Sequence, residues 1–130
     1  MVEPKEKIAS ALTKHPAVRL LLLFGSRARG QAKDDSDWDF GFVAAPDFDS
    51  VAFYTDLVLI LGTDKVDLAD LSRANGLLRY RAASDGVVMY EATPGEYEKF
   101  WLQAVNFWCE ASTILRTEYA AILEGLKWAQ

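Results

Sequence analysis

Gly25 and Ser26 stand directly after the apolar run Val18 to Phe24, and ten residues separate Ser26 from the run Asp37-Trp38-Asp39-Phe40. Side chains alternate faces along a strand, so Asp37 and Asp39 share one face while Trp38 and Phe40 take the other. Two adjacent carboxylates repel unless a cation lies between them. The glycine-serine turn suits an anion, because Gly25 lets a phosphate approach the backbone and Ser26 offers a hydroxyl and the first amides of a helical turn. The combination implies a metal-nucleotide site. Mg²⁺ takes one or two carboxylates together with phosphate oxygens and water. Nucleotidyl transfer often uses two such ions, roughly 3.5 to 4 Å apart, around an in-line displacement.

A two-metal site needs a third carboxylate, and Asp67 in Val66-Asp67-Leu68 is the best candidate. It could also take the proton of an attacking hydroxyl as general base. Taken alone, Asp67 could equally be an ordinary strand-end turn residue, and Asp70 is its rival. Asp37 and Asp39 are harder to explain in that way, since aspartate suits strand interiors poorly. Arg27 and Arg29 could hold outer phosphate oxygens; solvated charge on a short helix is the alternative for each.

The elements that must position these residues alternate compactly. A helix is predicted from about Pro4 to Lys14 with Ile8, Ala11 and Leu12 on one face. Val18 to Phe24 reads as a strand buried on both faces. A short helical turn after Ser26 stops at Gly30, Gln31 to Ser36 is a polar loop, and Asp37 to Val43 is a strand. Ser50 to Leu61 is an amphipathic helix ended by Gly62. Lys65 to Leu71 is a strand, Leu77 to Ala83 a helix and Gly86 to Glu91 the last strand. Thr93 is placed to cap a long final helix, with Pro94 at its first position and Glu96 completing a capping box. The expected fold class is α/β (α+β), a small mixed sheet flanked by helices with a long C-terminal helix. One domain over residues 1–130 is expected, with a core of about 5–92 and the last helix over about 94–127.

Composition narrows the function classes. The formal net charge is -5, with 14 Lys and Arg against 19 Asp and Glu. An acidic balance argues against direct nucleic-acid binding, which depends on neutralising phosphates. Only Arg27, Arg29 and Lys33 break the trend, beside the candidate site. No apolar run approaches the roughly 20 residues a bilayer requires, and no export signal is visible, so a cytoplasmic protein without a membrane partner is expected. A single cysteine, Cys109, cannot form an internal disulfide, and a single histidine, His15, cannot supply a zinc cluster. Cys109 is expected to pack, and His15 to sit at the surface or cap a helix. Asp39-Phe40-Gly41 matches the kinase metal motif by chance, since the loops that motif requires are missing.

Gly25-Ser26, ten intervening residues, Asp37-x-Asp39 and a later strand aspartate resemble the signature of the polymerase-β-type nucleotidyltransferases. Within that superfamily, Val66-Asp67-Leu68, Leu77-Leu78-Arg79 and Asp85 to Glu91 resemble the minimal nucleotidyltransferases, the MNT antitoxins paired with HEPN ribonuclease toxins. The likeness covers roughly residues 5 to 92. It implies that Gly25 and Ser26 bind nucleotide phosphate, that Asp37, Asp39 and Asp67 hold Mg²⁺, and that AMP passes from ATP to a tyrosine hydroxyl of the toxin. Two alternatives are a non-catalytic antitoxin that neutralises its partner by binding, and nucleotidyl transfer to a small molecule such as an aminoglycoside. The last is disfavoured because no additional domain is present to build an acceptor pocket.

The final helix carries Tyr97, Trp101, Ala104, Trp108, Ala111, Leu115 and Ile122 at helical spacing, widened by Phe100, Phe107 and Ile114. Phe100, Trp101 and Val105 are expected in the core. Beyond Ile114 the apolar face, extending to Trp128, exceeds what a small sheet can cover and is expected to meet a partner, in a hetero-oligomer or a homodimer.

Overall fold

The computed structural model describes residues 4–33 and 35–128. The elements run α1 (Pro4–Leu12), β1 (Val18–Phe24), β2 (Trp38–Ala44), α2 (Ser50–Leu61), β3 (Val66–Asp70), α3 (Gly76–Asp85), β4 (Val87–Glu91) and α4 (Glu96–Trp128). The strands form one mixed sheet in the order β3-β2-β1-β4. β1 is antiparallel to both β2 and β4, while β2 and β3 are parallel. The mixed α+β class expected from the sequence is the one observed.

The unbroken apolar run of β1 follows from its central place, with both faces covered. Leu21 and Leu23 join Phe40, Phe42 and Val66 of the sheet beneath Ile8 and Leu12 of α1 and Phe53 and Leu57 of α2. Leu20 and Leu22 face the other way, against Leu71, Ala82 and Ala83, and Phe100 and Ala104 of α4. Local signals set the ends of α2. Asp49 accepts a hydrogen bond from the Ala52 amide at 3.1 Å, and Gly62, at φ +69°, donates its amide to Val58 O at 2.9 Å. α3 starts at Gly76 because Asn75 accepts from the Leu78 amide at 2.8 Å.

The start of α4 departs from the sequence expectation. Thr93-Pro94-Gly95 forms a turn, with Gly95 at φ +98°, and the helix begins at Glu96. The amide of Tyr97 is capped by Glu91 Oε2 at 3.0 Å. A carboxylate delivered by the end of β4 satisfies the positive helix terminus better than a neutral hydroxyl. Tyr97 then locks α4 to α3 by donating its hydroxyl to Ala83 O at 2.7 Å. Tyr97→Phe should leave that carbonyl without a donor and cost about 1 kcal/mol, read as a lower urea midpoint at unchanged m-value.

Three further expectations are corrected. His15 is half-buried, its ring edge-on to Phe53 at 5.1 Å, with Nε2 2.6 Å from Asp56 Oδ2. Cys109 is exposed. Trp101 is 40 % exposed although Phe100 is buried, because one residue turns a helix by about 100° and α4 rests on the body through a narrow stripe. Past Ser112 the described side chains of α4 are all exposed, Ile114 and Ile122 among them. The side chains of Leu115 and Trp128 lie outside the described residues. No helix among the described residues is long and apolar enough to cross a membrane.

Candidate active site

The register of the sheet assembles the acidic residues. Asp39 lies opposite Phe24 of β1 and opposite Asp67 of β3. Phe40, Val66 and Leu68 belong to the α1/α2 face, so by alternation Asp39 and Asp67 project together from the α3/α4 face. A like-charge pair directly across two strands destabilises a sheet. Such a pair at the mouth of a turn is a mark of a functional site.

The electrostatics agree with that reading. The Asp39 carboxyl is held above the ordinary carboxylate range, first by burial, then by the negative charges of Asp67 and Asp37 and by a hydrogen bond with Asp67; Arg29 opposes the rise. Asp37 is exposed just before β2, near enough for its charge to act on Asp39. Asp70 is excluded from the group. It lies opposite Phe42, and its Oδ1 accepts from the Ser72 amide at 3.0 Å and the Ser72 hydroxyl at 2.6 Å. It is the turn residue that Asp67 could have been.

Gly25 is required twice over. Its φ of +77° is a left-handed conformation that glycine adopts freely, and a Cβ there would collide with Asp39 Oδ2. Gly25→Ala should therefore destabilise the protein by about 1 to 2 kcal/mol and displace the Asp39 carboxylate. Urea unfolding and NMR titration of the Asp39 carboxyl check the two effects separately.

The segment after Gly25 is a single turn closed by a Schellman motif: the Gln31 amide donates to Ser26 O at 2.9 Å, the Gly30 amide to Arg27 O at 3.4 Å, and Gly30 has φ +71°. Gly30 thus ends the turn where the sequence placed its end. Arg27 has structural work. Its guanidinium lies 4.1 Å from the centroid of the Trp38 ring and donates to Ser36 O at 2.9 Å and Lys33 O at 3.4 Å. It ties the polar loop to the start of β2 and so fixes the approach to Asp37. Arg29 is more exposed, with a 3.9 Å contact to Asp85, and its charge reaches Asp39. Nothing in the sequence marked Arg27 as a clamp, since its acceptors are backbone carbonyls that carry no residue-type signal.

Among the described residues, no group of three or more His, Cys, Asp or Glu side chains is placed as a metal-binding cluster. The donor chemistry still fits Mg²⁺. Asp39 and Asp67 are two carboxylates directly opposite each other in the β2–β3 register, and this ion completes its shell with phosphate oxygens and water. Gly25 and Ser26 lie on the β1 side of Asp39, Asp67 on the other.

Comparison with known proteins follows the same line. The family model described as polymerase beta, nucleotidyltransferase, matches residues 6–94. A protein adenylyltransferase MntA from Aphanizomenon flos-aquae (strain 2012/KM1/D3) is 32% identical over 112 residues, spanning 77% of this chain and 75% of that protein. The fold is similar to a chain in the crystal structure of a toxin-antitoxin with AMP-PNP, with a TM-score of 0.73, 26% identity, and coverage of 94% of this chain and 97% of the other. It is also similar to a chain in the complex of a tri-AMPylated Shewanella oneidensis HEPN toxin with its MNT antitoxin, at a TM-score of 0.66, 25% identity and 95% coverage of each chain.

Proposed function

The chain belongs to the polymerase β nucleotidyltransferase family and is a nucleotidyltransferase; we propose that it is the antitoxin of a HEPN-type ribonuclease toxin, which it silences by moving AMP from ATP to a tyrosine hydroxyl. The observation that carries this reading is the Asp39–Asp67 pair, set side by side across β2 and β3 with Gly25 against Asp39. The relatives that carry the names adenylyltransferase and antitoxin support the choice of donor and partner.

In this reading Gly25 and Ser26 receive the triphosphate, and Arg29 faces its outer oxygens. Arg27 contributes by holding the loop that precedes Asp37. Asp39 and Asp67, with the charge of Asp37 close by, would hold Mg²⁺, which when bound would neutralise the phosphates and polarise the transferring phosphorus. Asp67 accepts the tyrosine proton as the hydroxyl oxygen bonds to the α-phosphorus. The bond from that phosphorus to the bridging oxygen breaks, and pyrophosphate leaves. The activity belongs in the cytoplasm, with its nucleotide and partner.

The test is the intact mass of a HEPN-type partner after incubation with the protein, ATP and Mg²⁺. Addition of adenylyl units supports transfer. Full neutralisation of an unmodified partner supports the second reading, in which binding alone silences the toxin. The exposed apolar outer half of α4, with Ile114 59% and Ile122 61% exposed, favours a protein interface in either case.

A further inference from the structure

We propose that the acceptor reaches the site as an extended peptide segment that adds a strand to the free edge of β3, with its tyrosine over Asp67 and the residues on either side of that tyrosine seated against α2. This rests on the transferase reading above and specifies how its substrate binds.

Three observations converge on that edge. First, the groups of the site stand in a row across the sheet: Gly25 against Asp39, Asp39 against Asp67, and beyond Asp67 the outer edge of β3. The nucleotide turn occupies one end of the row. In-line displacement brings the nucleophile from the side opposite the leaving group, so the acceptor enters from the other end. Second, β3 is an edge strand: β2 pairs with one side of it, and no strand of the described fold pairs with the other. Its outward amides and carbonyls are a template for another strand. Third, a groove of about 380 Å³ runs along this edge, lined by Ser50, Val51 and Tyr54 of α2 and by Val66, Asp67 and Leu68 of β3. Val51 is 73% and Tyr54 36% exposed. Apolar side chains beside an unpaired edge invite strand addition, which natural edges otherwise discourage.

Alternation along the added strand fixes the specificity. Val66 and Leu68 face α2, and Asp67 faces away. A tyrosine on the Asp67 face therefore has immediate neighbours on the Val51 and Tyr54 side, where apolar residues are accommodated and carboxylates are not. Main-chain bonding to β3 supplies register and the groove supplies selection.

The experiment uses short synthetic peptides with one central tyrosine, ATP and Mg²⁺, read by mass spectrometry. One peptide has valine and leucine beside the tyrosine, one has aspartates there, and one is the apolar peptide N-methylated at the amides that would bond β3. The apolar peptide should exceed each of the others by about tenfold or more in kcat/KM. Val51→Asp should raise its KM by a similar factor without altering ATP affinity. Leu59→Asp, on the same helix but outside the groove, should not change the transfer. Equal kcat/KM for the three peptides, or transfer to the whole HEPN-type partner unaffected by Val51→Asp combined with Tyr54→Asp, overturns the edge proposal and leaves the transferase reading standing. Absence of transfer to any peptide and to the whole partner overturns both.

Discussion

Asp39→Asn lowers AMP transfer by at least about 10²- to 10³-fold, the usual effect of removing one electrostatic contributor from a transferase site, and at the same time raises the melting temperature of the metal-free protein. Both outcomes come from one carboxylate. Asp39 is half-buried and flanked by Asp67 and Asp37, and burial and like charge hold its carboxyl above the ordinary range. The sign of the pH dependence follows. Well below the ordinary value of 3.8, Asp39 is protonated in both folded and unfolded states, and the site carries little penalty. As pH rises, the unfolded chain gives up its proton first, and ionisation in the folded state works against folding. Relative to wild type, the asparagine variant should gain stability progressively from about pH 4 upward and hold a constant advantage once the folded carboxyl has titrated. Thermal melts in EDTA across this range check it. A variant less stable than wild type at neutral pH would show that ionised Asp39 does not work against folding, and unchanged transfer would show that it is not catalytic.

The second large effect belongs to Asp67→Asn. Asp67 is exposed on the outermost strand, opposite Asp39 in register. Removing a general base costs about 10²- to 10⁴-fold, and here the loss should fall on kcat. The dissociation constant for ATP with Mg²⁺ should change by less than about tenfold, because Asp37 and Asp39 remain and the Gly25-Ser26 turn is untouched. The Asp39 carboxyl should also return toward its ordinary range, since a like charge and a hydrogen bond both disappear. Single-turnover kinetics with equilibrium ATP binding separates the two constants. A kcat within threefold of wild type would remove Asp67 from the chemistry.

The two variants divide stability from function in different ways. Aspartates facing each other across parallel strands are a local choice at odds with the sheet, and proteins keep such conflicts where function needs them. The same reasoning explains why the acidic pair could be suspected from sequence. Aspartate is out of place inside a strand, and Asp37-Trp38-Asp39 announces itself by type alone. Arg27 did not. Its guanidinium could be a phosphate ligand or a surface charge on sequence grounds, and only folding brought Ser36 O, Lys33 O and the Trp38 ring within its reach. His15 was misjudged for a similar reason, as its aromatic neighbours Phe48 and Phe53 are more than thirty residues away along the chain.

Sequence by itself determined the element order, the limits of β1 and α2 and the end of the turn at Gly30, because periodicity, capping and glycine conformation act over a few neighbouring residues. Which aspartate joins Asp39 was decided by tertiary structure. Parallel pairing of β2 with β3 set Asp67 beside Asp39 and left Asp70 at the end of β3, bonded to Ser72. Strand register is a long-range property fixed by which apolar faces are buried, and it leaves no local trace on an individual carboxylate. The same holds for the start of α4, where Glu91 rather than Thr93 caps the helix, and for the edge of β3, which is an edge only because no strand of the described fold pairs with its outer side.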